Sequence, residues 1–227
     1  MADDIFLTPE EQDERARQWL KDNGPALVIG IALGLGAIFG WDYYKKAQLE
    51  LAEGASAVYA ETLESVQSSE LADISAQVDT LKQDYSGTSY AAKAVLIRAK
   101  QLALSDMAAA YDELQWVIDN SDESGLQHTA RLRQAKIKLA QGELAAAKAL
   151  ASHQPTQGFT SNYAEILGDI AVQEGDLLSA RVNYQTSIDA LSETQAAYAQ
   201  VLSIKLDRLP NNESAEVTSA DADSGVE

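Results

Sequence analysis

His128 and His153 are the only histidines in the chain, and there is no cysteine. Imidazole and thiolate are the groups best suited to nucleophilic, acid–base or soft-metal chemistry near neutral pH. Neither histidine belongs to an H-E-x-x-H pair, and both flank segments patterned as structural helices. The absence of cysteine excludes disulfides, thiolate metal sites and cysteine catalysis, and suits a domain in an oxidising compartment. There is no G-x-x-x-x-G-K phosphate loop, no G-x-S-x-G elbow and no G-x-G-x-x-G fingerprint. Gly34-Leu35-Gly36 lies inside an apolar stretch and is no nucleotide loop. The carboxylates are plentiful, but their spacing reads as solvated helix faces. The expectation is a protein that is not an enzyme and holds no metal or cofactor.

The chemistry left is recognition. Asp and Glu number 35 against 17 Lys and Arg, for a formal charge of −18. No basic face is available for nucleic acid or for lying flat on anionic lipid. Lys136, Glu165 and Asp169 stand among apolar positions of helical segments and are candidates to line a concave groove. Gly30 and Gly34, then Gly36 and Gly40, form two small-residue pairs. At about 100° per residue the pairs lie about 120° apart around a helix. Each leaves a shallow groove that another helix backbone can approach. Glycine is also ordinary in membrane helices.

The glycines need a helix to present them. Residues 23–41 read NGPALVIGIALGLGAIFGW, bounded by Asp22 and Asp42 with no charge between. Such a stretch makes roughly 28 Å of helix against a bilayer core of about 30 Å. Trp19 lies on one side and Trp41, Tyr43 and Tyr44 on the other, as amphipathic rings do at the two interfaces. Pro25 is read as standing near the helix start, where its missing N–H costs least. A buried core helix is seldom so long without a charge. A cleaved signal needs a basic leader, whereas residues 1–22 hold three Lys/Arg and seven Asp/Glu. The expectation is therefore a transmembrane helix at 23–44. Arg15, Arg17 and Lys21 before it, against Lys45 and Lys46 after it, favour a cytoplasmic N-terminus by one charge. Within 1–22, Thr8, Pro9 and Glu11 predict a short capped helix.

The groove candidates need a helical domain, expected over 45–209. Alanine is common, proline scarce, and runs rich in Val, Ile and Thr are missing. Periodicity predicts helices near 47–67, 70–84, 89–104, 107–119, 126–141, 143–152, 161–174, 177–190 and 194–208. Pro155 and Gly158 mark an irregular link. The turn-like pairs Ser105-Asp106, Gly142-Glu143 and Gly175-Asp176 recur 37 and 33 residues apart. Ala110, Ala147 and Ala180 follow at equal offsets. A tetratricopeptide repeat has a period of about 34 residues with a small residue there. The last copy fits best, with Leu167-Gly168 and Tyr184 also in place. In the second, Ala135 fits but Ala151 replaces a large residue. The first carries Arg98 where a small residue belongs. The fold class expected is all-α: one N-terminal transmembrane helix followed by a tetratricopeptide-like solenoid. The first helix of each repeat lines the concave side, which places Lys136, Glu165 and Asp169 there. Residues 210–227 are acidic, lack basic residues, and read as a disordered tail.

The run from Trp19 to Tyr59 resembles the YfgM family of ancillary SecYEG translocon subunits of Gram-negative bacteria. The resemblance rests on Trp19-Leu20, Asn23-Gly24 and Ala26-Leu27, and on a Gly-rich anchor ending in Gly40-Trp41. It extends more loosely through Leu132–Gly142 and Leu167–Ala180. The acidic tail departs from it. The resemblance implies an inner-membrane protein with a cytoplasmic N-terminus and a periplasmic domain. It also implies two partners, the SecYEG translocon and a PpiD-type periplasmic chaperone, and a role in passing exported proteins from channel to chaperones. Two other readings stay open: an assembly scaffold for another envelope complex, and a regulator acting through the cytoplasmic segment 1–22.

Overall fold

A computed structural model describes residues 8–153 and 158–210. Pro155 and the tail beyond Pro210 lie outside the described residues. Among these residues all regular structure is helical. The first helix, α1, runs unbroken over Pro9–Ser68. Its start is the expected one: the Glu11 carboxylate accepts the Thr8 N–H at 3.0 Å, one half of a capping box. The short N-terminal helix, the apolar segment and the 47–67 helix are thus one element. Pro25 lies in its interior rather than near its start, which corrects the sequence reading. Proline removes one bond to the carbonyl four residues earlier. That carbonyl belongs to Lys21, on the polar side of Asp22, where water can take the bond.

Two compact units divide the chain, Met1–Glu53 and Gly54–Glu227. In the first, every residue from 25 to 46 is exposed. Its apolar stretch has a mean hydropathy of 1.8 with none of it buried. An apolar surface this long and continuous is satisfied by lipid rather than water. Trp41 stacks on Tyr44 at 6.0 Å, and the Lys45 ammonium lies 5.5 Å from the Trp41 ring. Both contacts suit an interfacial belt.

The second unit is built of helical hairpins. Its helices are α2 (Ser75–Asp84), α3 (Ser89–Leu102), α4 (Met107–Asn120), α5 (Ser124–Ala140), α6 (Leu144–Ala151), α7 (Thr160–Glu174), α8 (Leu177–Asp189) and α9 (Ala196–Asp207). A short 3-10 turn, Glu193–Gln195, leads into α9. The start of α2 is later than periodicity suggests. Residues 69–72 close a turn, and the Asp73 carboxylate then accepts the Ser75 N–H at 2.9 Å. The repeat turns behave as their residues require. Gly142 and Gly175 adopt φ of 75° and 77°, a left-handed conformation that only glycine enters freely. Asp106 and Asp176 cap the helices that follow their turns. Ala110, Ala147 and Ala180 are fully buried, so the facing helices approach closely.

Glycine and tyrosine make the closest fit in the last hairpin. A Cβ on Gly168 would stand 2.6 Å from the Tyr184 ring. Arg98 breaks the small-residue rule in the first hairpin by turning polar. It pairs with Glu113 of α4 and with Asp79 of α2 at 2.6 Å, while Lys82 reaches Glu113 at 3.1 Å. Three core clusters follow one another along the chain: a large one about Leu81, Val95 and Leu114, a second about Tyr163 and Ile166, and a small one about Ala180, Tyr184 and Leu209.

Candidate protein-interaction surface

The first helices of successive hairpins pack side by side, α3 against α5 and α5 against α7. Two cavities open along them. The larger, about 500 Å³, lies between α3, α4 and α5, with walls that include Ala103, Leu104, Met107, Ile137 and Ala140. The smaller, about 190 Å³, lies between α5 and α7 near Leu132, Phe159 and Ile166. Arg133 and Lys136 of α5 line both.

Of the three charged residues expected in the groove, only Lys136 is open to it. Glu165 and Asp169 sit one turn apart on α7, and α9 reaches across to both. Lys205 Nζ donates to Glu165 Oε1 at 2.8 Å and to both Asp169 oxygens at 2.8 and 2.9 Å. Tyr198 also donates to Glu165, and Tyr184 of α8 donates to Asp169 at 2.7 Å. Burial pushes the Glu165 carboxyl up, but the bonds from Lys205 and Tyr198 and the charges of Lys205 and Lys136 hold it below its ordinary value. Burial and the adjoining carboxylates drive both tyrosine hydroxyls far up, so they stay protonated and donate to the acids. These two acids are the seat of the terminal helix rather than open carboxylates.

The face of α5 is different. Lys136 is exposed and, among the described residues, contacts no carboxylate. Arg133 donates to the Leu96 carbonyl at 2.8 Å and likewise meets no carboxylate among the described residues. Burial draws its guanidinium below the ordinary value.

The four glycines lie on the exposed part of α1, where a Cβ would meet nothing within 4 Å. Among the described residues both pairs are uncovered. The two histidines do come together. His128 is buried, with Nδ1 2.9 Å from the Tyr163 hydroxyl, and its ring lies 5.6 Å from that of His153. The Phe159 ring is 4.9 Å away. This is a packing cluster beside the start of α7. Sequence reasoning missed Tyr198, Lys205 and Arg133. Tyr198 and Lys205 stand seven apart, on one face of α9, and that spacing was the available signal.

A family model described as a tetratricopeptide repeat-like domain matches residues 17–211. The chain is similar to an ancillary SecYEG translocon subunit of Haemophilus influenzae, with 29% identity over 196 residues, covering 86% of this chain and 96% of the relative. The protein of the same name from Escherichia coli is 24% identical over 207 residues, covering 91% and 98%. That from Neisseria gonorrhoeae is 27% identical over 207 residues, covering 88% and 97%. No solved structure matches significantly.

Proposed function

Since the chain belongs to the tetratricopeptide repeat-like domain family, we propose that it serves as a membrane-anchored interaction scaffold of the Sec translocon, helping exported proteins pass to periplasmic chaperones. The observation that carries this reading is the pairing, in one chain, of an exposed apolar helix with a repeat domain that keeps open cavities along its first helices. Relatives similar over almost their whole length bear the name of SecYEG subunits, which supports the translocon as the partner. The expected order is a short cytoplasmic segment at 1–22, the inner-membrane span at 23–44 and a periplasmic domain over 45–209. A PpiD-type chaperone is the second partner in this scheme.

The two surfaces divide the work. One of the two grooves, at Gly30 and Gly34 or at Gly36 and Gly40, would take a helix of the channel within the bilayer, where close backbone approach gains dispersion contacts. The concave side of the domain would take the chaperone or an emerging polypeptide. Photo-crosslinkers placed singly at Gly36 and at Lys136 in living cells test both assignments. The expected result is a channel subunit trapped from Gly36 and a periplasmic chaperone or exported chain trapped from Lys136. Protease added to spheroplasts should also cut the region after Tyr44. Crosslinks from Lys136 to cytosolic proteins alone, or full protease protection, would overturn the reading.

A further inference from the structure

We infer that the cavity between α3 and α5 selects a partner segment in which carboxylates flank large apolar side chains. The inference rests on the concave side being the partner surface and adds what that surface reads. The walls are chiefly Ala103, Leu104, Met107, Ile137 and Ala140, which call for apolar side chains. At one edge stand Arg133 and Lys136, two cations in a chain of formal charge −18. Lys82, Arg98, Lys138, Lys148 and Lys205 each meet a carboxylate within 4 Å. Lys100, the third cation on the cavity wall, is likewise paired, with Glu70 at 2.8 Å. Arg133 and Lys136 are left without such a partner among the described residues, and Arg133 is half buried. A half-buried guanidinium lacking a counter-charge is costly, and an incoming carboxylate relieves that cost. Glu165 lies close enough to feel the Lys136 charge, but Lys205 and Tyr198 already hold it.

The chain's own residues 211–227 supply five carboxylates but only Val217 and Val226 as larger apolar side chains. They answer the charge of the cavity and not its walls. A separate polypeptide with alternating acidic and large apolar residues answers both.

The test uses the full chain in detergent micelles and a fluorescein-labelled peptide with two glutamates flanking Leu-Phe-Leu. A second peptide carries glutamines in place of the glutamates. Fluorescence anisotropy should show the acidic peptide binding about tenfold or more tightly, the scale of one good charge-assisted hydrogen bond. Combining Arg133→Gln with Lys136→Gln should erase that preference. If Arg133→Gln does not fold, Lys136→Gln alone, at an exposed site, should still reduce it about threefold. A preference that survives these changes overturns the proposal. So does acidic-peptide binding that appears only after deletion of residues 211–227, which would make the tail the occupant. Ala140→Trp, which fills the cavity, separates this proposal from the reading beneath it. If both peptides bind equally and Ala140→Trp blocks them, the surface stands and the charge selection falls. If neither binds, or Ala140→Trp changes nothing, the surface assignment falls as well.

Discussion

Lys205→Met removes the charge that seats α9 while keeping most of the aliphatic stem. The ammonium makes three contacts of 2.8–2.9 Å to two carboxylates, and the side chains of Lys205, Glu165 and Asp169 are 32%, 8% and 26% exposed. Breaking a buried pair costs about 3–5 kcal/mol because a charge is left behind. Partial exposure and the donors that remain, Tyr198 and Tyr184, bring the expected loss to about 2–3 kcal/mol. For a domain of this size that lowers Tm by roughly 5–10 °C. The pH dependence is the sharper check. The Glu165 carboxyl titrates below its ordinary 4.5, so its contribution is present above that value and lost as pH falls through the lower, folded one. The variant has already lost most of that contribution. The gap in Tm between wild type and variant should therefore be widest near about pH 7 and should narrow as pH falls through the lowered range of the Glu165 carboxyl. Circular dichroism melts of the full chain in detergent measure it. A gap under about 2 °C at neutral pH, or one that does not narrow in acid, would refute the role given to Lys205.

Gly168→Ala places a methyl group 2.6 Å from the Tyr184 ring, which Asp169 holds by its hydroxyl, and should cost about 1–3 kcal/mol in the same melts. The His128 ring titrates below its ordinary 6.5, chiefly because burial disfavours the cation, with Arg131 and His153 adding to it. Stability should therefore be full above about pH 6.5 and fall as pH drops below it, and His128→Gln should flatten that fall in a pH series of unfolding midpoints. Gly34→Leu should leave membrane insertion intact and reduce co-purification of the channel in mild detergent; unchanged recovery would make the glycines incidental.

The repeat was legible because its signals are local. A turn that needs a left-handed residue shows glycine at Gly142 and Gly175, and a close helix contact shows alanine five residues after each, at Ala147 and Ala180. The span was legible because lipid demands an unbroken apolar run. What escaped notice depends on residues far apart. Lys205 and Glu165 are 40 positions apart, so nothing near Glu165 announces that α9 will cover it. Arg98 contradicts the repeat pattern locally and is satisfied only by Asp79 and Glu113 on two other helices. The unity of α1 was hidden for the opposite reason. Asn23-Gly24 and Pro25 look like punctuation, yet the backbone bonds on either side outweigh a single missing donor.

The cores are strung out in sequence, and the last is the smallest: Ala171, Ala180, Tyr184 and Leu209, with Leu177 and Leu206 against them. A structure assembled from nearest-neighbour contacts can come apart in sections. Undocking α9 exposes Leu202, loosens the small last cluster, and leaves the cluster about Leu81, Val95 and Leu114 untouched. Its amides should therefore exchange with solvent through openings that cost far less than global unfolding. Each such opening withdraws Lys205 from Glu165 and Asp169. The acidic face of α7 is thus bared only transiently, and how often it opens depends on contacts that include the grip of one lysine.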